Sequence, residues 1–451
     1  MWMQIKGTYR EIWNISFPIM LGTLAYSVNQ IIDTVYLGNY ANTALEAITI
    51  VSIYYFVFLF FAAGIARGCQ VIISRHNGEM AYHKIGIAFD HLLVIGLVLS
   101  LFLFIFYHFF TPVLMPYLIK NPAIQTDAVN YLKGINWSTP FMVLGFCYNG
   151  FYSGIGKTRI ITWATIGMAI TNAILGYLFI FGNFGLHPMG IKGAGISTGI
   201  ANIVLLLFYI VDFYKQEYAV QYHAYRFKNI QWDEIKSILQ LSSPIVLQNT
   251  VGVASWCYFY ICVERLGGNN LAVSGILKSL FIFLGIPIWS FSSTSNTVVS
   301  NIIGQGRTDA VVPALKKVLL LAVITTGSSV LYVLLFPNFV FSLFTNDASI
   351  LQDIIKPYHT LSIGMFFFMF AMVMNQSIVG TGATFIPAFV EVVCSISYVI
   401  YCEYFIIHLH SPLYIAWGCE ILYWMLLFTF TFVYWYSGIW KKYIKHIDTL
   451  E

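Results

Sequence analysis

Charge is what this chain has least of. Only 9% of its 451 residues are Asp, Glu, Lys or Arg, whereas water-soluble domains contain about a quarter. Hydrophobic residues make up 59%, and runs of about 20 apolar residues, long enough to span a bilayer, recur from end to end. The composition excludes a soluble enzyme and indicates an integral membrane protein.

Several motifs are also missing. The seven cysteines are odd in number and form no CxxC, which argues against a disulfide framework or a zinc site. HExxH is absent, and "GIGKT" at Gly154 lacks the spacing of a phosphate-binding loop. The first apolar run continues to Gly38 without a cleavage site, so we expect a retained helix rather than a signal peptide. We therefore expect no enzymatic activity, no metal, no cofactor and no nucleic-acid partner.

Hydropathy predicts a twelve-span topology. The spans are expected at 13–37, 46–68, 87–110, 129–153, 158–182, 189–213, 238–263, 271–296, 314–336, 355–379, 385–407 and 411–437. With the N-terminus in the cytoplasm, most of the 23 Lys and Arg residues fall on the inner side, as the positive-inside rule requires. We expect a multi-pass protein of the plasma (inner) membrane with both termini cytoplasmic.

The two halves of the sequence resemble each other. "SFPIML" at Ser16 matches "SSPIVL" at Ser242, and "NGFYSGIGKT" at Asn149 matches "NQSIVGTGAT" at Asn375, both at an offset of 226 residues. Parallel repeats of this kind enclose a central cleft in transporters. The expected fold is all-α, with twelve helices in two pseudo-symmetric six-helix bundles. The expected divisions are an N-lobe at 1–213, a cytoplasmic linker at 214–237, a C-lobe at 238–440 and a cytoplasmic tail at 441–451.

Four local motifs carry a resemblance to a known family. They are "IIDTVYLG" in the first span, "GIGKTR" and "GTGAT" after the fourth and tenth, and "TNAILGYLFIFGNFGLHPMGIKGAGIST" across the fifth and sixth. In this order the chain resembles the multidrug and toxic compound extrusion transporters over essentially its whole length. The resemblance implies an antiporter that exports small organic compounds, often cationic or aromatic, by alternating access and is driven by protons or sodium ions. The expected partners are these substrates and membrane lipids, and we expect a monomer.

Asp33 is the first acid that needs an explanation, because an ionisable side chain at mid-bilayer costs about 2.5–3.5 kcal/mol on insertion scales. Asn29 lies four residues earlier on the same helix face. The resemblance implies that Asp33 binds the coupling ion together with Asn172 and Thr198. The alternative is that Asp33 only pairs with Lys192.

Pro18 lies fifteen residues before Asp33 in the same predicted helix. Proline removes a backbone hydrogen bond and tends to kink a helix. In the family, a proline at this position has been linked to bending of the first helix. Pro18 is therefore a predicted hinge.

The chain departs from the sodium-dependent branch of the family. Gly252 and Ala383 stand where those relatives are expected to carry acids, and Gly176 stands where many members of the family are expected to carry one. Hard cations prefer several charged oxygen ligands, so proton coupling is favoured over sodium coupling.

The second half places its acids elsewhere. Our hypothesis is that Glu403 and Glu420 form a cation or substrate site that mirrors the Asp33 cluster, the alternative being hydrogen bonds to Tyr and Trp neighbours or contact with lipid headgroups. Glu391 is predicted to be an inner gate or a solvated residue. Further residues predicted to line the substrate cleft are Gln30, Asn149, Gln248, Asn249 and Asn375.

Two other functions remain open. A flippase of lipid-linked saccharides would share this architecture but should carry a more cationic cleft for pyrophosphate. A membrane receptor without transport activity should show ligand-binding loops or a signalling domain.

Overall fold

A computed structural model describes residues 4–119, 121–227, 230–345 and 347–441. Of the predicted tail at 441–451, all but Lys441 lies outside the described residues. The described chain forms helices, turns and coil. The α-helices are α1 Tyr9–Tyr40, α2 Asn42–Gly78, α3 Tyr82–Leu118, α4 Pro122–Ile135, α5 Thr139–Gly154, α6 Arg159–Phe181, α7 Gly190–Lys215, α8 Tyr218–Gln221, α9 Trp232–Glu264, α10 Asn270–Gly304, α11 Val311–Leu335, α12 Pro337–Ser342, α13 Ala348–Gly380, α14 Phe385–Tyr401, α15 Leu413–Ala416 and α16 Gly418–Ser437.

Among the described residues, eleven helical stretches are long and apolar enough to cross a membrane. The exception among the predicted spans is 129–153, which falls on α4 and α5, two shorter helices separated by a 3₁₀ turn at Asn136–Ser138. Pro140 lies in the first turn of α5, where its missing N–H costs nothing. The predicted all-α membrane fold is confirmed, with the fourth span broken in its middle.

The chain divides into two compact units, and their boundaries cut through α1 and α9. One unit is Leu21–Ser242, and the other combines the described residues up to Met20 with those from Ser243 onward. The described residues of the predicted linker at 214–237 therefore belong to the first unit. Residues 4–20, which were predicted to be part of the N-lobe, belong to the other unit.

Within the first unit, glycines let helices approach closely. A Cβ at Gly134 of α4 would lie 2.6 Å from the carbonyl oxygen of Lys192, and one at Gly195 of α7 would lie 2.5 Å from that of Tyr131. Backbone atoms cannot retreat as a side chain can, so only glycine fits at this crossing. Small residues play this part in membrane helix pairs generally.

Within the second unit, α10 and α13 approach in the same way. A Cβ at Gly380 would lie 2.6 Å from the carbonyl oxygen of Asn296, and the Ser295 hydroxyl donates to the carbonyl of Val373 at 3.0 Å. The polar run "SFSSTSN" from Ser290 is thus largely buried in helix packing.

The segment after α8 is anchored to α3. The Asp90 carboxylate accepts the backbone N–H groups of Tyr225 at 2.7 Å and Arg226 at 2.8 Å. His91 Nε2 accepts the N–H of Gln231 at 2.9 Å while its Nδ1 lies 2.7 Å from a backbone carbonyl, which fits the neutral ring with the proton on Nδ1. Burial raises the pKa of Tyr225 to about 12. Two adjacent side chains of α3 therefore fix the course of this segment.

The cysteines are free thiols in the helices and their ends. Six of the seven are buried, and Cys257 is partly exposed. Two of them donate weakly to the carbonyl of a neighbouring residue, Cys69 to Ala88 and Cys147 to Leu92. They act as small packing residues.

Candidate functional sites

A small polar cavity lies in the first unit, lined by α1, α2, α4, α5, α6 and α7. Its volume is about 90 Å³. Drug-sized ligands occupy roughly 300–1,000 Å³, while a water molecule takes up about 30 Å³. The cavity therefore suits an ion or a few water molecules rather than an organic molecule. Its polar lining includes Asn29, Gln30, Asp33, Thr198 and Asn202.

Asp33 belongs to a chain of hydrogen bonds that crosses three helices. The Asn172 amide of α6 donates to Asp33 Oδ1 at 2.7 Å, and the Thr198 hydroxyl of α7 reaches Asn172 Oδ1 at 3.3 Å. The same hydroxyl lies 2.9 Å from the carbonyl of Ala194. Asn172 is completely buried, so its orientation is set by these two partners. The structure thus brings together the three residues that the family resemblance had grouped.

Two more amides at this cavity have unused hydrogen-bonding capacity. Asn29 and Asn202 are 5% and 4% exposed, and Asn29 Oδ1 and Asn202 Nδ2 have no partner in the described part of the chain. Buried polar groups usually are hydrogen-bonded, so such atoms mark a place for water, an ion or a second arrangement of the side chains. Sequence reasoning missed Asn202, although it follows Thr198 by one helical turn.

The other residues predicted around Asp33 take different positions. Lys192 is exposed, and no basic nitrogen lies within 4.0 Å of Asp33 among the described residues, so the alternative of a simple ion pair is wrong. Asn149 donates to the Tyr209 hydroxyl at 3.4 Å and does not line the cavity. Pro18 lies inside the continuous helix α1, and its role as a hinge stays a prediction.

A larger cavity of about 270 Å³ lies in the second unit, between α9, α10, α13, α14 and α16. Its volume approaches the range of organic ligands. Aromatic side chains dominate the lining, and no Lys or Arg is among the lining residues. The aromatic members are Trp256, Phe281, Trp289, Tyr398, Tyr423 and Trp424.

Two buried glutamates face this cavity. Glu420 accepts the Tyr398 hydroxyl at 3.0 Å on one oxygen and the Trp424 indole N–H at 2.8 Å on the other. Glu391 accepts a hydrogen bond from the Tyr423 hydroxyl. Their exposed fractions are 3% and 5%, so the prediction of Glu391 as a solvated residue is wrong. Glu420 therefore forms the hydrogen bonds to Tyr and Trp neighbours that were the alternative to a binding site. Its carboxylate nevertheless remains part of the cavity wall.

Glu391 also lies against Gly252, a glycine that stands where sodium-dependent relatives are expected to carry an acid. A Cβ at Gly252 of α9 would lie 2.7 Å from Glu391 Oε1. A carboxylate from α14 therefore fills the space beside Gly252. No local pattern in the sequence reveals this, because the two residues are far apart in the chain.

Of the remaining residues predicted to form a site in this half, some line the cavity and others do not. Gln248 and Asn249 line the cavity, and Gln248 Oε1 has no partner in the described chain. Glu403 lies in a π-helical turn, Cys402–His408, where it accepts the hydroxyl of Tyr258, and it is not among the lining residues. Asn375 is fully buried, and its amide has no partner among the described residues. The structure therefore brings Glu420 together with Glu391 and leaves Glu403 elsewhere.

A resident metal site is not formed by the described residues, which contain no group of three or more His, Cys, Asp or Glu placed to hold an ion. The site chemistry consists of buried carboxylates, amides and aromatic rings.

The long apolar helices, with carboxylates buried beside internal cavities, define a multi-pass membrane protein. The family model described as MatE matches residues 18–178 and 244–404. The two matched segments begin and end 226 residues apart, the offset found between the halves of the sequence. The chain belongs to the MatE family of multidrug and toxic compound extrusion transporters.

Known relatives are distant but cover most of the chain. The probable multidrug resistance protein YoeA of Bacillus subtilis is 21% identical over 76% of this chain and 74% of its own length. The probable multidrug resistance protein NorM of Thermotoga maritima is 23% identical over 85% of this chain and 82% of its own. An outward-facing multidrug resistance MATE transporter superposes with a TM-score of 0.85 at 18% identity, covering 97% of this chain and 96% of that one.

Proposed function

We propose that this protein is a multidrug exporter that works as a secondary-active antiporter, with Asp33 as the site of the coupling proton. The observation that carries the proposal is the hydrogen-bonded series Thr198, Asn172, Asp33 at the edge of an ion-sized cavity. The names of its relatives, probable multidrug resistance proteins, support export of small organic compounds.

The two charge states of Asp33 need different partners. An ionised carboxylate only accepts hydrogen bonds, and Asn172 supplies one. A protonated carboxyl has an O–H to donate, and the unpartnered Asn29 Oδ1 is an acceptor one turn away on the same face of α1. The other titratable groups that line this cavity are tyrosines of α1, α2 and α4, namely Tyr26, Tyr55 and Tyr131. Protonation therefore changes how α1 is tied to α6, which is how a proton can bias a conformational equilibrium.

The aromatic cavity of the second unit is the proposed cargo site. Glu391 and Glu420 supply negative charge, and the rings supply faces on which a flat cation can stack. In this proposal the coupling ion binds in the first unit and the cargo binds in the second. The hypothesis of a C-lobe site thus keeps Glu420 and replaces Glu403 with Glu391.

A flippase of lipid-linked saccharides is less well supported. Its pyrophosphate cargo would need cationic partners, and neither cavity has Lys or Arg among its lining residues. The exporter is proposed to act in the inner membrane as a monomer with cytoplasmic termini.

Dye efflux from everted vesicles under an imposed proton or sodium gradient tests the proposal. Wild type should extrude a cationic dye under the proton gradient, and Asp33→Asn should not, because an amide cannot cycle a proton. Glu46→Gln is the matched control, since Glu46 is an exposed acid of α2 that does not line the cavity. Full proton-driven efflux by Asp33→Asn, or efflux driven by sodium alone, contradicts the coupling site or the coupling ion.

A further inference from the structure

Lys278 is a lysine within the membrane-spanning helix α10. No carboxylate oxygen lies within 4.0 Å of its Nζ among the described residues. Charged side chains inside spanning helices are costly and normally have a polar partner or mark a functional site. The position of the Lys278 ammonium therefore requires an explanation.

Two aromatic rings hold this ammonium. Lys278 Nζ lies 5.3 Å from the centre of the Trp256 ring and 5.2 Å from that of Tyr260. The two rings stand at 86° to each other with centres 5.3 Å apart, so they form a corner. An ammonium within about 6 Å of a ring centre is attracted by the ring quadrupole, and tryptophan is the best partner. We call Trp256 and Tyr260 the aromatic corner.

The aromatic corner shares one ring with the wall of the proposed cargo cavity, because Trp256 lines that cavity and Tyr260 does not. Glu420 is another lining residue of this cavity. The Tyr260 hydroxyl is buried and has no partner in the described chain. A ligand in the cavity would find the ring of Trp256 and the carboxylates of Glu391 and Glu420. These are the groups that recognise an aromatic cation.

Trp256 already attracts one positive charge, although Lys278 itself is not among the residues that line the cavity. A second cation on the same rings would be repelled by Lys278, so the two compete. Lys278 is partly exposed and has a flexible four-carbon stem, which allows its ammonium to leave the rings without moving the backbone. An uncharged aromatic molecule meets no such repulsion.

We infer that Lys278 is a tethered cation held on the aromatic corner beside the cargo cavity, and that a cationic aromatic substrate stacks on Trp256 by displacing it. Lys278 is then a specificity-determining residue, because it selects against cations that bind too weakly to displace an ammonium. The inference rests on the proposed cargo site in the second unit.

Equilibrium binding to the purified full-length protein tests the inference without any ion gradient. The probes are 10-methylacridinium, a permanent cation, and acridine, which has the same ring system and is uncharged at neutral pH. Tryptophan quenching reports the Kd. Lys278→Met should tighten 10-methylacridinium about 5- to 30-fold, the range given by a cation–π interaction of a lysine, and change acridine less than about twofold. Lys278→Arg keeps a cation on the rings and should not tighten either probe.

Lys356→Met is the matched control, because Lys356 is an exposed lysine of the same unit without a contact to the aromatic corner. An unchanged or weaker Kd for 10-methylacridinium in Lys278→Met overturns the inference while leaving the cargo site in place. Equal tightening of both probes also overturns it, since the effect would then be steric. Failure of every variant to bind the cation removes the cargo site and the inference together.

Discussion

Substitution of Gly252 by alanine should weaken cation binding without unfolding the protein. The new Cβ would lie 2.7 Å from Glu391 Oε1, whereas ordinary contact begins at 3.4 Å, and its next neighbours are at 3.7 and 3.8 Å. The obstacle is therefore the end of one side chain. The carboxylate must retreat by about 0.7 Å, which distorts the hydrogen bond from Tyr423.

The magnitude follows from two effects. At an effective dielectric constant of 20, a cation 4 Å from the carboxylate gains about 4 kcal/mol, and about 0.6 kcal/mol of this is lost when the distance grows by about 0.7 Å. Distorting a hydrogen bond to a charged group removes part of its ~1.5–3 kcal/mol. Together they predict about three- to tenfold weaker binding of 10-methylacridinium. Gly→Ala also favours the helix by up to about 1 kcal/mol, so the thermal midpoint should change little.

The assay is the same quenching titration, with Gly327→Ala as the control. A Cβ at Gly327 of α11 meets nothing within 4 Å, so this variant makes the same chemical change without a steric one. Acridine separates charge from volume, because a loss caused by cavity filling would affect it equally. Identical affinities of the two variants for the cation would refute the reasoning.

Three further predictions concern other parts of the molecule. Asn172→Leu removes the hydrogen bond to the Asp33 carboxylate and should abolish most proton-driven efflux. Thr198→Val should retain part of the efflux, because the Thr198 contact with the Asn172 amide is longer, at 3.3 Å; equal losses in the two variants would contradict this order. Gly380→Ala should lower the free energy of unfolding by about 1–3 kcal/mol, because the Cβ meets backbone 2.6 Å away, and a melting temperature equal to that of Gly327→Ala would count against it. Asp90→Ala leaves two backbone N–H groups without their acceptor, at about 1–3 kcal/mol each, so limited proteolysis should cut the segment after α8 faster than in wild type.

The fold could be predicted from the sequence because its signals are long and repeated. Apolar runs of membrane length and the 226-residue offset each involve many residues. A local irregularity in the helices therefore does not hide them. The break in the fourth span was missed because hydropathy averages over a window, and the helix interruption at Asn136–Ser138 leaves that average unchanged. Pro140, just after it, was the available signal.

The candidate sites were predictable to different degrees. Asp33, Asn172 and Thr198 could be grouped since they stand in family motifs, and Asn202 could have been added by its spacing from Thr198. The pairing of Glu391 with Gly252 could not be predicted, because residues distant in the chain meet only through tertiary packing. Their functional roles stay predictions.

The one partly exposed cysteine has a practical consequence. Cys257 adjoins Trp256 in the chain, and the other six thiols are buried within the helical packing. A thiol-reactive fluorophore should therefore label the native protein at a single position without prior removal of cysteines. A reporter at that position would sit next to the aromatic corner. Departure of the Lys278 ammonium could then be followed in real time as a change in emission.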